Sequence, residues 1–155
     1  MALTSSQTAR LETQLDGLKI ILSSFEGLDL QKHPPNGKWS AHEHVCHIAR
    51  TQGIFFERFE KIITERMPPK IERYNAEEDK DWENYVAKTT QTTIQYLTKK
   101  RKELIEYLAQ VRPGDLRKKG IHPAFGDMTL EMWIEFFLVH EGHHLYSLLK
   151  LLQYR

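Results

Sequence analysis

The residues best suited to chemistry are two histidines in the last part of the chain. His140 and His144 are four residues apart, so on a helix their side chains lie on one face with Cβ atoms about 5–6 Å apart. At that spacing two imidazoles can bind one metal ion. The pair continues an apolar stripe that contains Trp133 and Phe137, so both rings are predicted to face the core. Buried imidazoles need partners, and the alternatives are a metal site or core histidines bonded to backbone or carboxylate groups.

A third ligand would have to come from an earlier segment, because residues 145–155 contain no His, Asp, Glu or Cys. His42, His44 and His47 lie near the start of an earlier helical segment. We prefer His47, which lies about two turns into that helix on the border of its apolar stripe, and keep His44 as the alternative. Three imidazoles leave coordination positions open for water or substrate, as catalytic metal sites do. The set suits divalent zinc, nickel or iron, and spacing does not choose among them.

Residues 140–144 read HEGHH and match H-E-x-x-H, the zinc-protease helix whose glutamate is the general base. Those enzymes usually take their third ligand from downstream, where this chain offers none. No strand system that could hold a peptide substrate is apparent either, so a metalloprotease is disfavoured. Glu141 remains a candidate catalytic base or a support for a ligand; the alternative is a solvated helix residue.

Four segments must position these residues, because apolar residues recur at helical spacing in each of them. They cover about 5–26, Ser40 to a stop at Met67-Pro68-Pro69, about 83–111, and Thr129 nearly to the end of the chain. Ser40 and Glu43 have the spacing of a capping box. Residues 70–82 read as a charged connection and 115–128 as a loop. We therefore predict an all-α fold, a single four-helix-bundle domain over 1–155, with long connections after the second and third helices. Such connections cross the bundle or cover a site.

Composition excludes several function classes. The chain has 155 residues, with 22 Lys and Arg against 21 Asp and Glu, a net charge of +1. This balance gives no general attraction to nucleic acid or membranes. We read the basic run Lys99-Lys100-Arg101-Lys102 as a solvated helix face, the alternative being an anion or nucleic-acid surface.

Neither a signal peptide nor a membrane-spanning run is visible. Cys46 is the single cysteine; we predict that it is buried and inert, in a cytoplasmic protein.

Aromatic residues are candidates for the walls of a pocket at the histidines. They are Trp39, Tyr74, Trp82, Phe125 and Trp133. For the tryptophans at 39 and 133, packing in the core is the favoured alternative. Tyr74 and Phe125 fall in the two long connections, so they are the candidates for covering the site.

Two stretches carry a resemblance to a known family. One is Lys38-Trp39-Ser40 with His47 eight residues after the tryptophan, and the other is residues 126–130, GDMTL, leading into HEGHHL at 140–145. Residues 68–74, PPKIERY, look like that family's proline-led connection. In these motifs and their order, the sequence resembles the DinB-like superfamily of four-helix bundles along nearly the whole chain. That superfamily includes metal-dependent hydrolases and thiol transferases of the bacillithiol type.

The resemblance implies a ligand set, an activity and an assembly. It implies one ligand from the second helix, His47, and two from the fourth, His140 and His144, with His143 outside the set. It also implies a homodimer and a metal-dependent small-molecule enzyme. That enzyme would transfer a low-molecular-weight cellular thiol to an electrophile, which we favour slightly, or would perform hydrolysis. The alternative is a non-catalytic metal-binding or vestigial bundle that acts in a stress response or as an interaction protein.

Overall fold

Four long helices and one short helix make up most of the molecule, for which the computed structural model describes residues 3–154. The helices are α1 (Ser5–Ser23), α2 (Ala41–Thr64), α3 (Trp82–Val86), α4 (Thr90–Ala109) and α5 (Leu130–Leu151). α1 and α2 each pack against both α4 and α5. The predicted four-helix bundle is confirmed, as are the long connections after α2 and α4. No helix within residues 3–154 has the length and apolar character needed to cross a membrane.

Hydroxyl side chains set the start of all four long helices. Thr4, Ser40, Thr89 and Thr129 are the N-caps, and each side chain accepts a hydrogen bond from the backbone N–H three residues further on. Such caps satisfy amide groups that have no partner within the helix. The capping box predicted at Ser40 is present, because the Ser40 amide also donates a hydrogen bond to the Glu43 carboxylate. This cap fixes where the histidine-bearing turn of α2 begins.

The prediction of a single third helix over 83–111 is wrong, because residues 87–89 are not helical and separate α3 from α4. α3 ends at Val86, and Thr89 caps the start of α4. The buried His42 ring lies at this break, with Nε2 3.0 Å from the Val86 carbonyl oxygen and Nδ1 2.8 Å from the Thr90 hydroxyl. Both ring nitrogens of His42 are thus used in joining the start of α2 to the broken helix.

The loop predicted over 115–128 is also wrong, since it contains an antiparallel hairpin. β1 (Lys119–His122) pairs with β2 (Gly126–Thr129). Ile121 of the hairpin hydrogen-bonds to the other long connection, from its amide to the Pro69 carbonyl (2.8 Å) and from the Ile71 amide to its own carbonyl (3.0 Å). The two long connections are therefore tied to each other along one flank of the bundle.

The core consists of two apolar clusters with a polar layer between them. The first cluster includes Phe59, Leu104, Trp133 and Phe137, and the second includes Leu18, Val45, Leu97 and Leu148. In the polar layer, buried Arg101 donates to the Gln52 side chain (2.7 Å) and to the Leu11 carbonyl (3.1 Å), and it forms an ion pair with Glu141. The run at 99–102 is therefore not one solvated face, because its arginine is a core residue.

Candidate metal centre

Three histidines from two helices meet beneath the long connections. His47 lies on α2, and His140 and His144 lie one turn apart on α5. One nitrogen from each ring can be chosen so that all three lie within 4.8 Å of one another. His47 Nε2 and His140 Nε2 are 3.3 Å apart, and the His47 and His144 ring centroids are 4.3 Å apart. The structure thus brings together the three residues that sequence reasoning selected.

The nitrogen positions fit a bound metal ion. Two nitrogens that are each about 2.0–2.1 Å from one tetrahedral ion lie about 3.3 Å from each other, which is the spacing between His47 and His140. In addition, His47 Nδ1 is buried and has no hydrogen-bond partner within residues 3–154. A buried nitrogen without a partner is costly, so His47 is not a satisfied core histidine.

The charge state of the rings also suits metal binding. Burial, reinforced by the neighbouring histidines, lowers the pKa of His47 to about 3, of His140 to about 4 and of His144 to about 2, from an ordinary value of 6.5. All three rings are therefore neutral at pH 7. A neutral imidazole offers its lone pair without first losing a proton, so the cluster is ready to bind a cation.

A fourth histidine touches the cluster from its outer side. His44 Nδ1 lies 3.1 Å from His144 Nδ1, and burial lowers the His44 pKa to about 4. Because both rings are neutral, one Nδ1 carries a hydrogen and donates a hydrogen bond to the other Nδ1. His44, the alternative ligand, is outside the three-nitrogen group and instead fixes the orientation of the His144 ring. His143 is exposed, on a different side of α5.

Three aromatic side chains cover the histidines. Trp39, just before α2, has its ring centroid 4.8 Å from that of His47, and it stacks on Trp82 at 5.3 Å. The Trp39 ring also lies nearly parallel to His144, at 6.1 Å. Tyr74, in the first long connection, lies 5.7 Å from His47. These half-buried rings restrict the access of water to the cluster, and Trp39 is part of the site rather than of the core.

An ion pair holds the first long connection over the site. Arg50 of α2 donates to Asp79 at 2.6 Å, and the Tyr74 hydroxyl donates to the same Asp79 oxygen at 3.0 Å. The Arg50 hydrogen bond keeps the pKa of Asp79 below its usual value. Burial and the hydrogen bond to Asp79 together raise the pKa of Tyr74, so this hydroxyl remains a neutral donor. Tyr74 is thus fixed in place beside His47.

A cavity of about 570 Å³ opens beside His47 and His140. Its size is within the range of small-molecule sites. The wall is rich in aromatic side chains, among them buried Trp133 of α5 and the exposed hairpin residue Phe125. The remaining wall residues come from α2, the first connection, the hairpin and α5, and they include Phe55, Arg58, Tyr74, His122 and Phe136. Two of the candidate metal ligands, His47 and His140, therefore border a space large enough for a small substrate.

Glu141 is placed in the core and not in the histidine cluster. Its side chain is almost fully buried, so it is not a solvated helix residue. One carboxylate oxygen accepts from the Gln14 amide at 2.8 Å, and the other forms the ion pair with Arg101. Both oxygens are thus held by residues of α1 and α4. The catalytic role of Glu141 stays a prediction, and its contacts support a structural role.

Sequence reasoning missed Arg58, which shares the cavity wall with His47 and His140. The signal was available in its position, because 11 residues make three turns and place Arg58 on the same face of α2 as His47. It also missed the hairpin, which supplies His122 to the cavity beside the predicted candidate Phe125. Cys46, in contrast, is buried as predicted, and burial raises its thiol pKa to about 11.

Comparisons with known proteins give a family and a fold. The family profile described as the DinB superfamily matches residues 10–148. Among solved structures, YfiT from Bacillus subtilis, described as "a probable metal-dependent hydrolase with an unusual four-helix bundle topology", superposes with a TM-score of 0.77. The two chains are 20% identical over 95% of this chain and 83% of YfiT, which establishes a common fold. A comparison with curated protein sequences finds no match.

Proposed function

The chain belongs to the DinB superfamily, and from this premise we propose that it is a metal-dependent enzyme acting on a small molecule. The observation that carries the proposal is the set of three neutral imidazole nitrogens from His47, His140 and His144. Two of these rings, His47 and His140, line a cavity of about 570 Å³. YfiT, which shares the fold, is described as a probable metal-dependent hydrolase. The proposed reaction is transfer of a low-molecular-weight thiol to an electrophile, with hydrolysis as the second possibility.

His47, His140 and His144 would hold the metal, a divalent zinc, nickel or iron ion. A metal held there supplies Lewis-acid chemistry, which lowers the pKa of a bound water or thiol. The protein's own groups do the rest. His44 orients the His144 ring through the 3.1 Å contact, while Trp39 and Tyr74 limit the water around the reacting atoms. The aromatic cavity wall binds the apolar part of the substrate.

We also propose a homodimer that acts in the cytoplasm. The support for an assembly is an exposed apolar stripe along α5, formed by Met132, Val139 and Tyr146 at intervals of two turns. Exposed apolar stripes of this kind often mark contacts between subunits. The support for the compartment is the lone, buried Cys46, because proteins of oxidising compartments usually carry disulfides.

Turnover assays test the proposed activity. Untagged protein is assayed with a panel of small thiols, including cysteine, glutathione and bacillithiol, each with a bimane or nitroaryl electrophile. Nitrophenyl esters are assayed in parallel for hydrolysis. We expect activity in one panel that is lost in His140→Ala and kept in His143→Ala, since residue 143 is exposed on the same helix. Stoichiometric metal without turnover in either panel would contradict the enzyme and favour a non-catalytic metal-binding protein.

A further inference from the structure

One arginine in the cavity wall has no carboxylate partner. Four arginines within residues 3–154 are buried or half-buried: Arg10, Arg50, Arg58 and Arg101. Three of the four form ion pairs, with Glu135, Asp79 and Glu141 respectively. Arg58 forms none with any carboxylate in the described part of the chain, and its one hydrogen bond runs from Nη2 to the Glu72 backbone carbonyl at 2.8 Å.

The surroundings of Arg58 hold its charge in place without neutralising it. The guanidinium lies over the rings of Phe55, at 5.0 Å, and Trp133, at 5.8 Å. Burial lowers the Arg58 pKa, and no acidic group opposes that effect. Even so, the guanidinium stays protonated at neutral pH, because arginine begins with a very high pKa. A fixed, partly desolvated cation with unused donors is a favourable position for an anionic ligand.

The position of this cation relates it to the histidines. Arg58 lines the same cavity as His47 and His140, and its charge is close enough to depress the pKa values of both His140 and His122. The other charged residues of the wall, Glu72 and Arg73, are exposed. A molecule in the cavity would therefore meet the histidine cluster, an aromatic wall and the partly buried cation at once.

We propose that Arg58 binds an anionic group of the substrate, a carboxylate or a phosphate, in the cavity that His47 and His140 also line. A guanidinium presents parallel N–H donors that match both oxyanions and form short, charge-assisted hydrogen bonds with them. The substrate class is thus a small molecule with an oxyanion at one end and an apolar or aromatic part against the accessible rings of the wall, Tyr74, Phe125 and Phe136. This inference rests on the proposed function for its meaning as a substrate site, but anion binding can be measured separately.

Calorimetric titration of the full-length, metal-loaded protein with benzoate, phenyl phosphate and benzamide tests the proposal. Benzamide has nearly the shape of benzoate and lacks its charge, so it isolates the contribution of the anion. We expect benzoate or phenyl phosphate to bind about tenfold more tightly than benzamide, the usual size of a charge-assisted contact. The comparison between the two anions identifies the group that the site prefers.

Matched variants assign the anion to Arg58. Arg58→Met keeps the aliphatic packing over the aromatic rings and is expected to lose about tenfold in anion affinity. Arg58→Lys keeps the charge without the planar fork, so its affinity should lie between those of Arg58→Met and the wild type. Arg66→Met, which removes an exposed arginine outside the cavity, should bind the anion like the wild type. Circular dichroism melts confirm which variants are folded.

Two further results would overturn the proposal. The first is equal affinity for benzoate and benzamide in the wild type, or no detectable anion binding at millimolar concentration. The second is unchanged anion affinity in the folded Arg58 variants. Repeating the titrations on His140→Ala separates this proposal from the proposed function. Binding that depends on Arg58 should persist there without metal, whereas binding that is lost with His140 and kept in Arg58→Met would make the anion a metal ligand and defeat the Arg58 site.

Discussion

The four clustered histidines couple the stability of the metal-free protein to pH. Each ring has a folded-state pKa far below 6.5, since burial disfavours its charged form; the values are about 4 for His44 and His140, about 3 for His47 and about 2 for His144. Between these values and 6.5 the unfolded chain binds more protons than the folded one. We therefore expect the histidine-dependent stability to be complete above pH 6.5 and to fall steadily as the pH drops toward 4.

Urea unfolding of chelator-treated protein across this pH range measures the effect. His144→Gln replaces a titrating ring with a neutral amide, so its unfolding midpoint should depend less steeply on pH than that of the wild type. His143→Ala changes an exposed ring that only adds to the effect of burial on the four pKa values, so it should keep most of the wild-type slope. The expectation fails if the wild-type midpoint is the same at pH 6.5 and at pH 4.5, which lies close to the His44 and His140 values.

Glu141 gives a second prediction at the residue scale. Its carboxylate is the ionic partner of Arg101, and both side chains are nearly fully buried. Glu141→Gln leaves the arginine charged and buried without its counter-charge, and losing one partner of such a pair costs about 3–5 kcal/mol. We expect the free energy of unfolding to fall by about 3 kcal/mol, since glutamine keeps a hydrogen-bond acceptor. Unchanged stability together with a large loss of kcat would instead identify Glu141 as a general base.

At the scale of elements, the hairpin depends on one close backbone approach. A Cβ atom at Gly120 would lie 2.8 Å from Ile62 side-chain atoms and 3.1 Å from Trp133 Nε1. The Trp133 indole donates to the Gly120 carbonyl at 3.3 Å, so the hairpin and α5 are held in register there. We expect Gly120→Ala to cost about 1–3 kcal/mol in unfolding free energy by overpacking, and to weaken binding in the cavity that the hairpin borders.

Gly53 provides the matched control for this substitution. It lies within α2, and an added Cβ would meet no atom within 4 Å. Gly53→Ala should therefore raise the unfolding free energy by about 0.5–1 kcal/mol through helix propensity. Chemical denaturation of both variants gives the two values. A stabilising Gly120→Ala substitution would contradict the packing of the hairpin described above.

Sequence periodicity predicted the elements whose signal is local. The apolar spacing and hydroxyl caps of α1, α2 and α5 are contained in their own residues, so their starts agree with the structure. The break before Thr90 is stabilised by contacts from His42, 48 residues away. Its one local signal is the Thr89 cap, which apolar spacing does not reveal. The hairpin pairs with residues 69–71 of a distant connection, and its four-residue strands are too short for a clear alternation.

In the candidate site too, the residues with a local sequence signal were predicted and those defined by contacts between helices were not. The spacing of His140 and His144, together with the border position of His47, predicted a cluster that the fold brings together. The partner of Glu141 and the isolation of Arg58 depend on contacts between helices that a single sequence does not display. Arg101 illustrates this, because it belongs to a basic run and yet is buried between the two apolar clusters.

At the scale of the whole molecule, the exposed apolar residues of α5 are the predicted contact between copies of the chain. Met132, Val139 and Tyr146 are 50%, 56% and 59% exposed, on one line along the helix. A lysine at the centre of this stripe would carry a charge into the proposed interface, so Val139→Lys should shift a homodimer toward monomer in sedimentation velocity runs. Ile20→Lys, on an exposed position of α1, is the control and should sediment like the wild type. A monomeric wild type, or a dimer indifferent to Val139→Lys, would exclude this interface.

Metal stoichiometry tests the central claim most directly. Untagged protein is analysed by elemental mass spectrometry beside His47→Ala, His140→Ala, His144→Ala and the exposed-site control His143→Ala. We predict about one divalent zinc, nickel or iron ion per chain in the wild type and in His143→Ala, because three neutral nitrogens converge within 4.8 Å, and none in the other three variants. Stoichiometric metal in folded His140→Ala, or no uptake by the wild type after addition of all three metals, would contradict the metal site.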